Sequence, residues 1–86
     1  MLRLEDKQAR CRGAEGMALF QLDRFRESAE AFRSALGVFE TYQLWNNYVG
    51  TLNSIAAALV RMGRLNEARR EYARALRKLS RERHHS

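Results

Sequence analysis

Gly63 to Leu79 reads GRLNEARREYARALRKL, and an imperfect copy of it lies forty residues earlier. Leu65, Ala68, Tyr72, Ala75, Leu76 and Leu79 stand opposite Phe25, Ser28, Phe32, Ala35, Leu36 and Phe39, and five of the six pairs are apolar in both copies. Glu27 and Glu67 keep the same register. Steps of three, four, three, one and three put each set on one stripe of a helix. A fixed period of this size, with large and small residues in matching slots, is the mark of stacked helical units.

Outward from this stretch the spacing predicts four helices. The fourth runs from about Arg64 to Leu79, leaving Ser80 to Ser86 as a basic, disordered tail (basic tail 80–86) whose His84 and His85 belong either to the natural chain or to an added tag. The third carries Tyr42, Trp45, Val49, Leu52, Ala56 and Leu59 at alternating steps of three and four. Thr41 is its expected N-cap and Gly63 its stop. Asn46 and Asn47 are weak helix formers and would allow a later start, but the longer helix brings Trp45 onto the apolar stripe. The second runs from about Arg24 to Leu36, with Asp23 as the expected cap and Gly37 as the expected stop. The first spans about Leu4 to Leu22 and is interrupted by Gly13 and Gly16. A glycine inside a helix costs about 1 kcal/mol against alanine, so close approach of another helix is expected at Gly16, whose counterpart is Ala56.

Composition agrees with helices: no proline, few β-branched residues, and many Ala, Leu, Arg and Glu. Eighty-six residues make one small unit that buries only about 60–65% of its unfolded surface, so its stability is expected to be marginal. There is no run of 18 apolar residues, and MLRLEDKQAR has no apolar core of a secretion signal. The lone Cys11 has no internal disulfide partner; it reads as a small buried apolar residue, and a cytoplasmic location is expected. The charge is uneven. Residues 1–60 hold seven basic and seven acidic side chains, residues 61–86 nine and three, so 9 − 3 supplies the whole +6.

These residues resemble the tetratricopeptide repeat (TPR), whose signature is a small residue in helix A, a Gly-x-aromatic turn, then Glu-Ala, an aromatic and Ala-Leu in helix B. The second copy offers Ala56, Leu59, Gly63, Leu65, Glu67, Ala68, Tyr72, Ala75 and Leu76; the first offers Gly16, Leu19, Asp23, Phe25, Glu27, Ser28, Phe32, Ala35 and Leu36. The resemblance covers about residues 9 to 82, as repeat 1 at about 9–42 and repeat 2 at about 43–82. The period is forty rather than the usual thirty-four, so helix 2 or helix 3 is expected to be lengthened. Thr51-Leu52-Asn53-Ser54-Ile55-Ala56 is similar to the start of the longer repeats of kinesin light chains and related polarity adaptors. Arg12 and Glu15 stand where the second copy has Leu52 and Ile55, so the first helix is expected to face solvent there, as in a terminal repeat. The expected fold is all-α: two antiparallel helix hairpins stacked as a fragment of an α-solenoid.

The resemblance implies a groove lined by the helix A faces: Arg10, Gly13, Met17, Phe20 and Gln21, then Asn53, Ala57, Val60 and Arg61, with Asn46 and Gly50 if the third helix starts early. Asn46 and Asn53, seven apart, share one side of a helix, and their amides both donate to and accept from a peptide backbone. A second candidate surface is Arg70, Arg74, Arg77 and Arg81, able to meet acidic side chains or phosphates, although Glu67 and Glu71 are placed to pair with Arg70 and Arg74. Trp45 and Tyr48 read as core. No aromatics interleave the arginines and no helix-turn-helix reader is visible. There is no metal-binding spacing, no phosphate-cradling loop and no base beside Cys11, so neither enzyme activity nor a cofactor is expected. The expected function is protein–protein binding, with a peptide, a partner helix, further repeats or self-association covering what the two units leave exposed. The alternatives are a basic regulatory or nucleic-acid-binding helical domain acting through residues 61–83, and a designed or excised repeat array. No membrane contact is expected.

Overall fold

A computed structural model of the chain describes the backbone of residues 4–84 and the side-chain environment of residues 7–82. Four helices follow one another: α1 (Leu4–Gln21), α2 (Phe25–Thr41), α3 (Trp45–Arg61) and α4 (Leu65–His84). Packing is between consecutive helices, and the Cα envelope measures 38 × 30 × 13 Å. Side-chain contacts fix the two layers. Arg61 lies over the rings of Phe20 and Phe25, bringing the ends of α1 and α3 together, while Arg33 and Glu40 of α2 form ion pairs with Glu71 and Lys78 of α4. The all-α hairpin architecture expected from the spacing is therefore present, as a thin slab with α1 and α3 on one side and α2 and α4 on the other.

The three turns share one geometry and recur every twenty residues. In each, the middle residue is left-handed: Asp23 (φ 62°), Gln43 (φ 57°) and Gly63 (φ 78°). The following amide reaches back to the third-last carbonyl of the helix: Arg24 to Leu19 at 2.9 Å, Leu44 to Phe39 at 2.8 Å and Arg64 to Leu59 at 2.9 Å. Asp23, Gln43 and Gly63 themselves bond the carbonyls of Phe20, Glu40 and Val60. This is the Schellman arrangement, which satisfies carbonyls that the helix end leaves free. It also reverses the chain in three residues, so each helix packs on the one before it. The next helix starts without a side-chain cap at Arg24 or Leu44; Glu27 and Glu67, in the first turns of α2 and α4, complement the dipole and pair with Arg24 and Arg64.

The core alternates small and large residues. Ala9, Ala35, Phe39, Tyr48, Leu52 and Ala75 form one buried cluster, and Phe32, Ile55, Leu59 and Ala68 another, joined by Leu36. Alanines let the helix axes approach while the larger side chains fill the space between them. Gly16 permits the tightest approach. A Cβ there would lie 2.8–2.9 Å from three carbons of the Phe32 ring, and the buried Ser28 hydroxyl donates to the Gly16 carbonyl at 2.7 Å.

Several sequence expectations are corrected. Gly37 does not stop α2, which continues for four more residues to Thr41; this lengthens helix 2. Thr41 caps nothing ahead of it: its hydroxyl donates back to the Gly37 carbonyl at 2.9 Å. Asp23 is the left-handed residue after α1 rather than the cap of α2. Helix 4 does not end at Leu79 but runs through Ser80 to His84, so no disordered tail begins at Ser80; residues 85–86, with His85, lie outside the described residues. Cys11 is exposed, not buried, because it falls on the outward side of α1. Other expectations match: Gly63 ends α3, α3 starts early enough to include Trp45, Tyr48 is core, and Arg12 and Glu15 are exposed and paired with each other at 3.2 Å.

Candidate functional site: two exposed helix faces

On α3, Asn46, Gly50, Asn53, Ala57 and Val60 recur at steps of four, three, four and three, and all are exposed. Their spacing puts them on one side, while Tyr48, Leu52, Ile55 and Leu59 turn the opposite side into the core. No hydrogen bond ties up the amide of Asn46 or Asn53 among the described residues, and a Cβ at Gly50 would meet nothing within 4 Å. The surface is thus smooth, uncharged and supplied with free amides. On α1, Arg10, Met17 and Gln21 are likewise exposed, Met17 by 52%, and Val60 on α3 by 49%. Phe20 and Gly13 are half-buried beside them. The structure brings the two sets together at one end. Arg61 sits 5.6 Å from the centre of the Phe20 ring and 5.8 Å from that of Phe25, and the two rings meet edge-on at 5.1 Å. Sequence spacing found Phe20 and Arg61 as separate groove residues; that one holds the other is visible only in the fold.

The second face is on α4. Arg70, Arg74, Arg77 and Arg81 are all exposed, as is Arg69. None of the five forms an ion pair among the described residues. The expected pairing of Glu67 and Glu71 with Arg70 and Arg74 does not occur. Arg33 of α2 takes Glu71 through two hydrogen bonds, Nε to Oε1 at 3.2 Å and Nη2 to Oε2 at 3.0 Å, and reaches Glu67 at 4.0 Å. These carboxylates hold the Arg33 guanidinium firmly protonated. Glu71 is thereby drawn to α2 and Glu67 is shared between Arg33 and Arg64, and the exposed arginines of α4 are left to solvent. No sequence signal marked Arg33, because the partners are 38 residues apart on different helices.

Between α2, α3 and α4 a cleft of about 290 Å³ is lined by Glu40, Tyr48, Arg74 and Lys78, among others. Burial, then the Glu40 charge, raises the pKa of Tyr48, against smaller opposing effects of Lys78 and Arg74. Hydrogen bonding to Glu40 raises that of Lys78. These groups are balanced against one another, with no free nucleophile or base among them. Among the described residues there is no group of three or more His, Cys, Asp or Glu side chains suited to a metal ion, and no helix is long and apolar enough to cross a membrane.

Comparison with family models, curated proteins and solved structures finds no match to the chain.

Proposed function

We propose that this chain is a protein-binding module of the helical-repeat kind, TPR-like in its use of successive hairpins, and that it receives an extended segment of a partner protein on the α1/α3 face. The observation that carries the reading is the uncharged α3 stripe from Asn46 to Val60, where two free amides alternate with a glycine and an alanine. An extended peptide offers alternating N–H and C=O groups that an asparagine amide matches with either end. Gly50 and Ala57 let that backbone come close, and Met17 and Val60 supply apolar contact at the rim. Arg61, fixed over two aromatic rings, gives one end of the stripe a positioned cation. Binding rather than chemistry is the activity, and an exposed unpaired Cys11 suits a reducing cytoplasm.

The test is to select peptides against the protein from a random display library and map the tightest by amide chemical shifts. Shifts centred on Gly50, Asn53 and Ala57, with affinity reduced about tenfold by the double substitution Asn46→Ala, Asn53→Ala, are the expected result. Peptides that bind elsewhere, or that tolerate the double substitution, refute this reading.

A further inference from the structure

Positions 25, 29, 32 and 36 of α2 correspond to 65, 69, 72 and 76 of α4. On α2 they are Phe25, Ala29, Phe32 and Leu36, and they are covered: Ala29 and Phe32 are buried, Phe32 packing with Ile55 and Leu59 of α3. On α4 they are Leu65, Arg69, Tyr72 and Leu76, with Leu65 exposed by 48%, Leu76 by 38%, and Tyr72 half-buried with part of its side chain against the core. The α4 flank therefore has the apolar residues of a helix-docking face, but an arginine stands where α2 has the buried Ala29. Arg69 is itself exposed and, among the described residues, unpaired, whereas Arg70, Arg74 and Arg77 turn to another side of α4, beside Glu67 and Glu71.

We infer that the α4 flank docks an acidic amphipathic helix of a partner protein, its leucine-like seam on Leu65, Tyr72 and Leu76 and a carboxylate on Arg69. Charge decides the occupant. A second molecule of this chain would bring its own α4, which carries six basic and three acidic side chains between residues 65 and 82, against an identical flank. An apolar helix without acids would strand Arg69 beneath it, and a buried unpaired cation is strongly unfavourable. Nucleic-acid phosphates would satisfy the arginines and leave Leu65 and Leu76 without a contact. Only a helix with both an apolar seam and a carboxylate edge uses every group on this flank. This surface is separate from the α1/α3 face, so either can fail without the other.

The experiment measures fluorescence anisotropy of labelled probes with the full chain at about 50 mM and about 200 mM salt. The probes are a three-heptad helical peptide with leucines at its seam and glutamates beside them, the same peptide with lysines for glutamates, and an oligo-dT strand. Helicity of each variant is checked by circular dichroism; Arg69 and Leu76 are both exposed, so the fold is expected to persist. The glutamate peptide is expected to bind at least about tenfold more tightly than the lysine peptide. Arg69→Glu should weaken it by about tenfold or more and strengthen the lysine peptide, and Leu76→Ser should weaken it about fivefold. Arg69→Ala serves as the milder variant and should give an intermediate loss. Asn46→Ala, Asn53→Ala should leave all of this unchanged. The inference is overturned if the two peptides bind alike, if Arg69→Glu has no effect, or if oligo-dT binds more tightly with a steep salt dependence. It is equally overturned if the free chain sediments as a dimer that Leu76→Ser dissociates.

Discussion

Replacing each helical glycine with alanine separates a packed position from open ones. In a helix interior alanine is favoured over glycine by about 1 kcal/mol. At Gly37 and Gly50 a new Cβ meets nothing within 4 Å, so Gly37→Ala and Gly50→Ala are each expected to stabilise the fold by about 0.5–1 kcal/mol. At Gly16 the same atom would sit 2.8–2.9 Å from three ring carbons of Phe32, well inside the ~3.5–4.0 Å at which two carbons are comfortable. The ring has nowhere to retreat, since Phe32 is buried against Ile55, Leu59 and Ala68. Overpacking of this kind costs about 1–3 kcal/mol, so after the propensity gain Gly16→Ala should destabilise by about 0–2 kcal/mol. The gap between Gly16→Ala and Gly37→Ala, about 1–3 kcal/mol, is larger than either value alone. For a chain of this size it corresponds to at least about 4 °C in melting temperature. Urea denaturation followed at 222 nm, with the slope checked for constancy, measures it. Phe32→Leu in the Gly16→Ala background should cost less than in the wild type, because it makes room for the new methyl. Equal stabilisation at positions 16 and 37 would refute the close approach of α1 and α2 at Gly16.

Four further outcomes follow from the turns, the buried hydroxyls and the α2–α4 ion pairs. Gln43→Gly should stabilise by about 0.5–1 kcal/mol in a thermal melt, because a glutamine at φ 57° is strained and glycine is not, whereas Gly63→Ala should lose about 1–2 kcal/mol. Ser28→Ala removes the buried bond to the Gly16 carbonyl and should cost about 1 kcal/mol by chemical denaturation; the second hairpin already has Ala68 at this place. The raised pKa of Tyr48 favours its protonated form in the fold, so its contribution is full below about pH 10 and is lost as pH rises through the folded-state value. Absorbance at 295 nm should therefore show Tyr48 ionising above the ordinary tyrosine range, and Tyr48→Phe should flatten the alkaline fall in stability. Arg33 and Glu71 are 41% and 18% exposed, so a double-mutant cycle should give a coupling of only about 0.2–1 kcal/mol, diminishing with salt.

The helices were legible where chemistry and period agreed, and the turns were not where one residue type serves two purposes. Gly63 reads as a stop and is one, because glycine takes the left-handed turn without strain. Gly37 reads the same way and is not, since glycine is also tolerated inside a helix; burial of Ala35 and Phe39 on either side of it carries α2 onward. Asp23 suits a cap by its carboxylate and a left-handed turn by its short side chain, and the second use prevails. Gln43 has no turn preference, so nothing local marks it. The missed signal is a spacing of twenty: Phe32, Leu52 and Tyr72; Ala35, Ile55 and Ala75; Phe39, Leu59 and Leu79. It makes each helix, not each hairpin, the repeating length. The exposed stripe of α3 was legible because a helix fixes which residues share a side. The freedom of the α4 arginines was not, because it depends on Arg33, and the rule for pairs along one helix assigned Glu71 to Arg74 instead.

The twenty-residue rhythm also explains why the two ends of the slab differ. Each middle helix needs two apolar flanks, one for its predecessor and one for its successor, and α2 and α3 have them. Among the described residues of α1 only Ala9 and Gly16 are fully buried, and the outward side joins the charged Lys7 and Arg10 to the small Cys11, Ala14 and Ala18, with no large apolar side chain at its centre. On α4 the outward flank keeps Leu65, Tyr72 and Leu76 but exchanges the equivalent of Ala29 for Arg69. One side chain thus changes what the flank accepts, from a closely packed apolar helix to one that must carry an acid. Such an exchange also keeps the exposed leucines from joining those of another molecule, since any identical flank brings the same positive charge. The end that most resembles an interior surface is in this way the one best protected against indiscriminate association.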